Sequence, residues 1–337
     1  MAHNQWSVAV DISHYQGDVD LSYIKQASGG VVKAVICKAI QYGYGWSFEQ
    51  CVDSRWAANV QSAHNAGLPC GGYIYPDLAY NLRAGADNFA NNQQAQFIIR
   101  ALQNKVYHFL AVDIEEASQE SLTPIQWITT TRMVFDHLKH ARKQGLIRDV
   151  PIGLYSRNGF IADFTTAPDG GSLFDDTPKH EFLWEAKYML PPASPVKAWA
   201  DLKSCYPPDS LQPTAMNGIR YWGGAAQYTG TMTGKLVFWQ FSDAWKFPLL
   251  PGKAPQAVDL NLIPVPDDQL YSWLKFTPSE PVDPEEPEEP EEPGEPEEPE
   301  EPEEPVPADL AVIVDRLDRI VENLDVLTDI IREVYNR

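Results

Sequence analysis

The sequence predicts an α/β fold, an irregular β/α barrel of the TIM type, and three observations carry that prediction. Short apolar runs rich in β-branched and aromatic residues recur from Val8 to Phe241, and helix-like segments lie between them. Two of those segments end on the same signal, a glycine followed closely by a proline. Alternating units of this kind need a parallel sheet covered by helices.

The candidate strands are Val8–Ile12, Val31–Ala39, Gly71–Tyr75, Phe109–Ile114, Ile152–Tyr155, Phe182–Ala186 and Leu236–Phe241. Helices are expected over Phe48–Ala66, Ala84–Leu102 and Pro124–Gln144. Gly67 and Gly145 stand where a helix needs a left-handed residue to stop, and Pro69 and Pro151 forbid its continuation. The stretches Asp163–Thr177 and Cys205–Asn217 read as loops.

After Thr277 the chain changes character. Pro-Glu-Glu repeats run through Pro305, and prolines at such spacing favour an extended polyproline conformation of about 3.1 Å per residue, stiffened by repulsion among the glutamates. Residues 278–307 are therefore expected to be a spacer. Beyond them, 308–337 show a strict seven-residue apolar repeat: Leu310, Leu317, Leu324 and Ile331 in one register, Ile313, Ile320, Leu327 and Val334 three residues later. Steps of three and four make a coiled-coil seam, and leucine at three of four a positions with isoleucine at two of four d positions, widened by Val314 and Val321, shifts the preference from dimers towards trimers or tetramers, with a homotetramer favoured.

Charge follows the same division. The formal net charge is −21; residues 280–307 hold −15 of it and 308–337 hold −3, leaving −3 for residues 1–279. A near-neutral body with an acidic tail has no basic footprint for nucleic acid. Cys37, Cys51, Cys70 and Cys205 show no C-x-x-C spacing, so buried reduced thiols are expected rather than a zinc or redox site. The first residues lack a basic region followed by an apolar one, and no apolar stretch reaches the ~18–20 residues of a membrane span. Synthesis in the cytoplasm without a signal peptide is expected, with any role outside reached by another export route.

The chemistry is concentrated in Phe109-Leu110-Ala111-Val112-Asp113-Ile114-Glu115, where an apolar run delivers carboxylates at i and i+2. On a strand these face one side with Cα atoms about 6–7 Å apart. One acid protonating a leaving oxygen and another stabilising an oxocarbenium ion is the chemistry of glycoside hydrolysis. Asp11 ends the first apolar run and Asp259 follows the last, so three runs would crowd acids into one pocket at the C-terminal end of the barrel and raise at least one pKa.

Val10-Asp11-Ile12-Ser13-His14-Tyr15-Gln16-Gly17, Ile36-Cys37-Lys38-Ala39, Ala111-Val112-Asp113-Ile114-Glu115, Leu183-Trp184-Glu185-Ala186-Lys187-Tyr188, Trp239-Gln240-Phe241 and Val258-Asp259-Leu260-Asn261 together resemble the ordered motifs of glycoside hydrolase family 25. The resemblance spans Val8 to Leu262 and implies a muramidase of the phage endolysin kind on residues 1–277. It puts the general acid on Glu115 and the supporting carboxylates on Asp11, Asp113 and Asp259. It is compatible either with a covalent aspartate or with assistance by the substrate's own N-acetyl group. This chain departs from the family's habit at Ile40-Gln41, where a glutamate is common, and at Tyr73-Ile74, where Tyr-His is common. Family 18 chitinases carry a further aspartate at the position of Ala111, which argues against that family.

Tyr15, Tyr73, Tyr75, Tyr155, Trp184 and Trp239 are candidates for stacking on sugar faces, with Gln240 beside them. Lys38 is placed to pair with the acids, and His14 reads as structural. No metal and no cofactor is required, and the partners implied are bacterial peptidoglycan and further copies of the chain. The alternative is a multimeric wall-binding or virion protein that keeps the sugar groove without catalysis; four converging acids favour the enzyme.

Overall fold

The computed structural model describes residues 6–83, 92–115, 122–157, 181–186, 188, 196–206, 236–243, 245–263 and 267–277. The loops expected at Asp163–Thr177 and, past Tyr206, at Cys205–Asn217 lie outside these residues, as do the Pro-Glu spacer and the heptad segment.

The strands are β1 (Ser7–Ile12), β2 (Val32–Gln41), β3 (Cys70–Tyr75), β4 (Phe109–Asp113), β5 (Ile152–Arg157), β6 (Phe182–Ala186), β7 (Leu236–Ser242), β8 (Lys246–Phe247), β9 (Gln256–Ala257) and β10 (Asp259–Ile263). Eight of them close into a barrel in the order β1-β10-β7-β6-β5-β4-β3-β2, while β8 and β9 form a separate antiparallel pair. The seven expected strands are present. The eighth, β10, corrects the reading of Asp259 as a residue beyond the last strand. It runs antiparallel to both β1 and β7, so the barrel is not wholly parallel. Leu260 and Leu262 face the outer core while Asn261 is buried without joining it; that period of two is a strand signal in only five residues.

Alternation, interrupted near the end of β2, sorts the side chains into two cores. Outside the sheet, Val8, Val10, Val35, Leu110 and Val112 pack with residues of α3 (Trp56–Asn65), α5 (Gln93–Leu102) and α6 (Pro124–Lys143). Inside, Ala9, Ala34, Ile36, Phe109, Ala111, Phe182, Trp184 and Phe238 form the second cluster. Its base is a set of rings: Phe109 to Phe238 at 5.1 Å, Phe109 to Phe182 at 5.7 Å and Phe182 to Phe238 at 5.0 Å between centroids. Below them α7 (Asp267–Trp273) brings Leu270, with Leu274 just after it, and the edge of Trp273, 5.5 Å from Phe182. The N-terminal end of the barrel is thereby plugged by hydrocarbon, which leaves the opposite end for polar groups.

Two helix expectations change. The segment Phe48–Ala66 is not continuous: α2 (Phe48–Cys51) stops where Val52 bridges Ile40 and where Asp53 N–H donates to Ala39 O at 3.1 Å. The buried Asp53 carboxylate accepts from the backbone N–H of His14 at 3.0 Å and of Arg55 at 2.9 Å, so tertiary bonds override helix propensity there. Of Ala84–Leu102, residues 84–91 lie outside the described set, and α5 begins at Gln93 with the Asn92 side chain accepting from Ala95 N–H. Helix α6 opens on a Thr123/Gln126 capping box. Gly67 and Gly145, at φ of 59° and 70°, stop α3 and α6 as expected. Helices α1 (Leu21–Ala27) and α4 (Leu78–Arg83), like α7, are additions to the sequence reading.

All four cysteines are buried and unpaired by disulfides, as expected; Cys37 and Cys70 lie with their Sγ atoms 3.7 Å apart on neighbouring strands. Among the described residues no helix is long and apolar enough to cross a membrane.

Two inward positions on the barrel wall are glycines because the phenylalanine plug needs their space. A Cβ at Gly71 would fall 2.1 Å from the Phe109 ring, and one at Gly153 would fall 2.4 Å from the Phe182 ring. Gly71→Ala is therefore expected to destabilise the chain by about 1–3 kcal/mol in urea unfolding, with Phe109→Leu in the same background recovering part of the loss. A change under about 0.5 kcal/mol would show that the plug has slack.

Candidate active site

The site is assembled by strand ends. In β4, Phe109 and Ala111 point into the barrel, so Asp113 does too, and Glu115 follows two residues later on the same side. In β1 the same alternation turns Asp11 inward after Ala9. Because β10 runs against β1, its first residue meets the end of β1: Asp259 and Asp11 are register partners. Reversal of the last strand thus brings Asp259 to the rim where the parallel strands end.

These four acids line one pocket of about 330 Å³, with Lys38, Gln41, Tyr15, Tyr73, Tyr75, Tyr155, Trp184 and Gln240. Of the residues singled out in the sequence, Trp239 alone is not there. It alternates with inward-facing Phe238 and Gln240, so its fully buried ring lies in the outer core, 6.2 Å from Phe241, and the assignment to sugar contact is corrected. Other lining residues were not singled out as candidates, among them Tyr188, Asp243 and Gln41. Tyr188 follows β6, Asp243 follows β7, and Gln41 ends β2; a position just past a strand's C-terminal end is the signal that could have found each.

Gln41 reaches the pocket through an irregularity. The β2–β3 register shifts between Lys38 and Ile40, so Ala39 and Ile40 both face outward and Lys38 and Gln41 both face inward. The Lys38 ammonium donates to Gln41 Oε1 at 2.6 Å. The lysine's hydrogen-bond partner here is neutral, which leaves its charge directed at the carboxyl groups.

Around Asp11 the hydrogen bonds are ordered. Tyr155 and Tyr188 hydroxyls donate to Gln240 Oε1 at 2.8 and 3.2 Å, which turns Gln240 Nε2 toward Asp11 Oδ2 at 3.4 Å. Beneath them Trp184 Nε1–H donates to Asn261 Oδ1 at 2.7 Å, and Asn261 Nδ2–H donates to Ala9 O at 3.4 Å, tying β6, β10 and β1 together. Tyr155 and Tyr73 flank Trp184, at 4.3 and 5.9 Å between centroids. Asp113 Oδ1 is buried and accepts no hydrogen bond among the described residues.

Burial and crowding act on the acids in the same direction. Asp11 is pushed well above the usual carboxylate range, first by desolvation and then by Asp259 and Asp113, with Lys38 opposing. Asp113 is pushed well up by desolvation and by Glu115, with Lys38 and Arg157 opposing. Asp259 rises to about 7 through desolvation, then Asp243 and Glu115. Burial pulls the Lys38 ammonium down while Asp113, Asp53 and Asp11 hold it up. Protons are therefore held in this pocket at pH values where free carboxylic acids have lost them, which is the condition for acid catalysis near neutrality. Outside the pocket His14 Nδ1 meets the buried Asp53 carboxylate at 2.7 Å, in keeping with a structural role.

The family model for glycosyl hydrolases family 25 matches residues 10–205, more than half of the chain. The chain belongs to that family. It is a glycoside hydrolase. The matched span contains Asp11, Asp113 and Glu115, whereas Gln240 and Asp259 lie beyond it and join the site through the barrel itself. Solved structures similar to this family 25 hydrolase include the catalytic domain of an endolysin from a bacteriophage of Listeria monocytogenes, at 20% identity and TM-score 0.46 over 81% of this chain and 98% of that one. Others are the Clostridium perfringens spore cortex lytic enzyme SleM, 17% identical, TM-score 0.48, over 78% and 68% of the two chains, and a glycosyl hydrolase 25 of Streptococcus pneumoniae, 12% identical, TM-score 0.48, over 80% and 93%. No curated protein sequence matches the chain significantly.

The raised value at Asp259 has a consequence for stability. Unfolded, an aspartate titrates near 3.9. Folded, Asp259 titrates at about 7, so between those values the folded chain keeps a proton that the unfolded chain has released. Stability is then lost as pH rises through this window, and below it the two states bind alike. Asp259→Asn removes the loss: relative to the parent, the variant is expected to gain about 1–2 kcal/mol between pH 4 and pH 8, discounted because Asp259 keeps some contact with water. Urea unfolding across that range checks it, and a difference that does not vary with pH would contradict the shift.

Proposed function

We propose that this glycoside hydrolase is an endolysin-type muramidase, hydrolysing the β-1,4 bond between N-acetylmuramic acid and N-acetylglucosamine in bacterial peptidoglycan. The observation that carries the reading is the convergence of Asp11, Asp113, Glu115 and Asp259 on one aromatic-lined mouth in a family 25 barrel. Glu115, less buried than Asp11 and Asp113, is the general acid that protonates the leaving oxygen. Asp113, whose buried Oδ1 has no protein donor, stabilises positive charge that develops at the anomeric carbon. Asp11 and Asp259 support it, and Lys38 keeps the cluster from holding every proton at once. Tyr73, Tyr75, Tyr155 and Trp184 supply ring faces and Gln240 a polar contact to the sugar. The reaction needs no metal and no cofactor. The enzyme acts on the wall after release from the cytoplasm through a holin-type opening.

In the same reading, residues 308–337 gather the chain into a tetramer, with the barrels held apart on the acidic spacer. Eight consecutive a and d positions filled by Leu, Ile or Val support it, since a lone helix would leave that stripe in water. Several barrels on one hub would bind a polymeric wall by avidity.

Glu115→Gln is expected to lower the clearing of purified Gram-positive walls, and the appearance of new reducing ends, to under about a hundredth of the parent rate while wall binding persists. Retention above that level would remove Glu115 as the acid. Asp113→Asn is expected to be similarly severe, and a near-neutral effect would remove the charge-stabilising role. A parent chain that pellets with walls but never clears them would point to a binding protein. For the tail, sedimentation of the full chain against a chain ending at Thr277 decides: equal monomer masses refute the hub, and a dimer refutes only the tetramer.

A further inference from the structure

The pocket does not account for all the aromatic surface at its end of the barrel. Among the described residues the aromatic side chains classed as exposed are Tyr15, Tyr44, Trp46 and Tyr188, and every one lies just past the C-terminal end of a barrel strand. Tyr15 and Tyr188 belong to the pocket. Tyr44 and Trp46 do not: they stand on the loop after β2, 67% and 44% exposed, three and five residues beyond Gln41. Exposed aromatic surface gathered at the end of a barrel where sites form marks a candidate ligand surface.

The loop that presents them is firmly built. Tyr42 N–H donates to Tyr75 O at 2.9 Å, extending the β2–β3 ladder past the strand. Trp46 N–H donates to Gly43 O at 3.0 Å in a turn whose Gly45 sits at φ 79°. The Trp46 ring lies so close over Gly43 that a Cβ there would meet it at 2.4 Å. Ser47 and Gln50 then cap α2 reciprocally. The Tyr44 ring rests 6.1 Å from Tyr80, which rests 5.0 Å from Tyr42. Rings held this way lose little freedom when a ligand covers them.

We propose that Tyr44 and Trp46 form an outlying saccharide-binding platform, engaging pyranose rings of the glycan strand beyond those held in the pocket. This rests on the peptidoglycan reading above. The loop leaves β2 at Gln41, which lines the pocket, and its Tyr42 is hydrogen-bonded to Tyr75, which lines it too. A glycan suits it better than a protein. The loop interleaves its two rings with Gly43, Gly45 and Ser47 and carries no aliphatic side chain, whereas a protein interface needs about 800 Å² per partner around an apolar centre.

The test compares the parent with Tyr44→Ala/Trp46→Ala on two probes: glycan strands released from purified walls, and the shortest soluble oligosaccharide of the same repeat that the parent cleaves. On long strands KM is expected to rise about fivefold to tenfold with kcat unchanged, the size of effect two aromatic contacts produce, while the short probe is cleaved as by the parent. Tyr44→Phe/Trp46→Phe, which keeps the rings, is expected to recover most of the KM. A KM unchanged on long strands, or raised equally on both probes, overturns the platform. A parent that cleaves no wall glycan overturns the substrate reading itself, and the inference with it.

Discussion

Five consecutive residue pairs join β1 to β10, from Ser7 opposite Ile263 to Asp11 opposite Asp259, and the rest of the molecule depends on that antiparallel ladder. It closes the barrel, since β10 also pairs with β7. It decides which side chains share the interior, because a slip of one residue would turn Leu260 inward and Asp259 outward. It also sets two acids against each other at one rim, a cost that a parallel eighth strand entering from the other end would not incur. The cost is visible at Asp11, which is pushed up first by burial and next by Asp259, and it is offset by what the ladder closes over.

That offset lies at the other end. Phe109, Phe182, Phe238 and Trp273 fill the base of the barrel, edge to face except where Phe182 and Phe238 stack, and Gly71 and Gly153 give up their side chains to admit them. Hydrophobic burial at the base stabilises a wall that could not be held together by its polar end alone. Between base and rim, Trp184 serves both: its ring packs with Tyr155 and Tyr73, and its indole N–H reaches Asn261. The division explains why strands of uniform apolar character along most of their length change abruptly at Asp11, Lys38 and Asp113.

Much of this was legible in the sequence, and the omissions have physical causes. Runs such as Phe109–Asp113 announce a buried strand by composition alone, and the acid that ends each run announces the rim. Strand β10 was missed because its inward face opens with the polar Asp259 and Asn261, and its antiparallel pairing with β1 and β7 is a tertiary matter. The break in Phe48–Ala66 was missed because Val52 and Asp53 are satisfied by Ile40, Ala39 and His14, which no local window contains. Trp239 was misplaced because alternation fixes which face a residue takes only once its register is known. Gln41 reached the pocket through a bulge that the pattern Lys38-Ala39-Ile40-Gln41 does not advertise.

The four thiols have a use of their own. Cys37, Cys51, Cys70 and Cys205 are distributed from β2 through α2 and β3 to the 3-10 helix Trp199–Cys205, and all are shielded from solvent. Reaction with a water-soluble disulfide reagent then requires the fold to open, so each sulfur acts as a built-in clock for its own neighbourhood. Cysteines that label together report opening of the whole barrel, and one that labels early marks the wall that loosens first. The chain thus needs no foreign dye to be timed, and reducing conditions leave its core chemistry untouched.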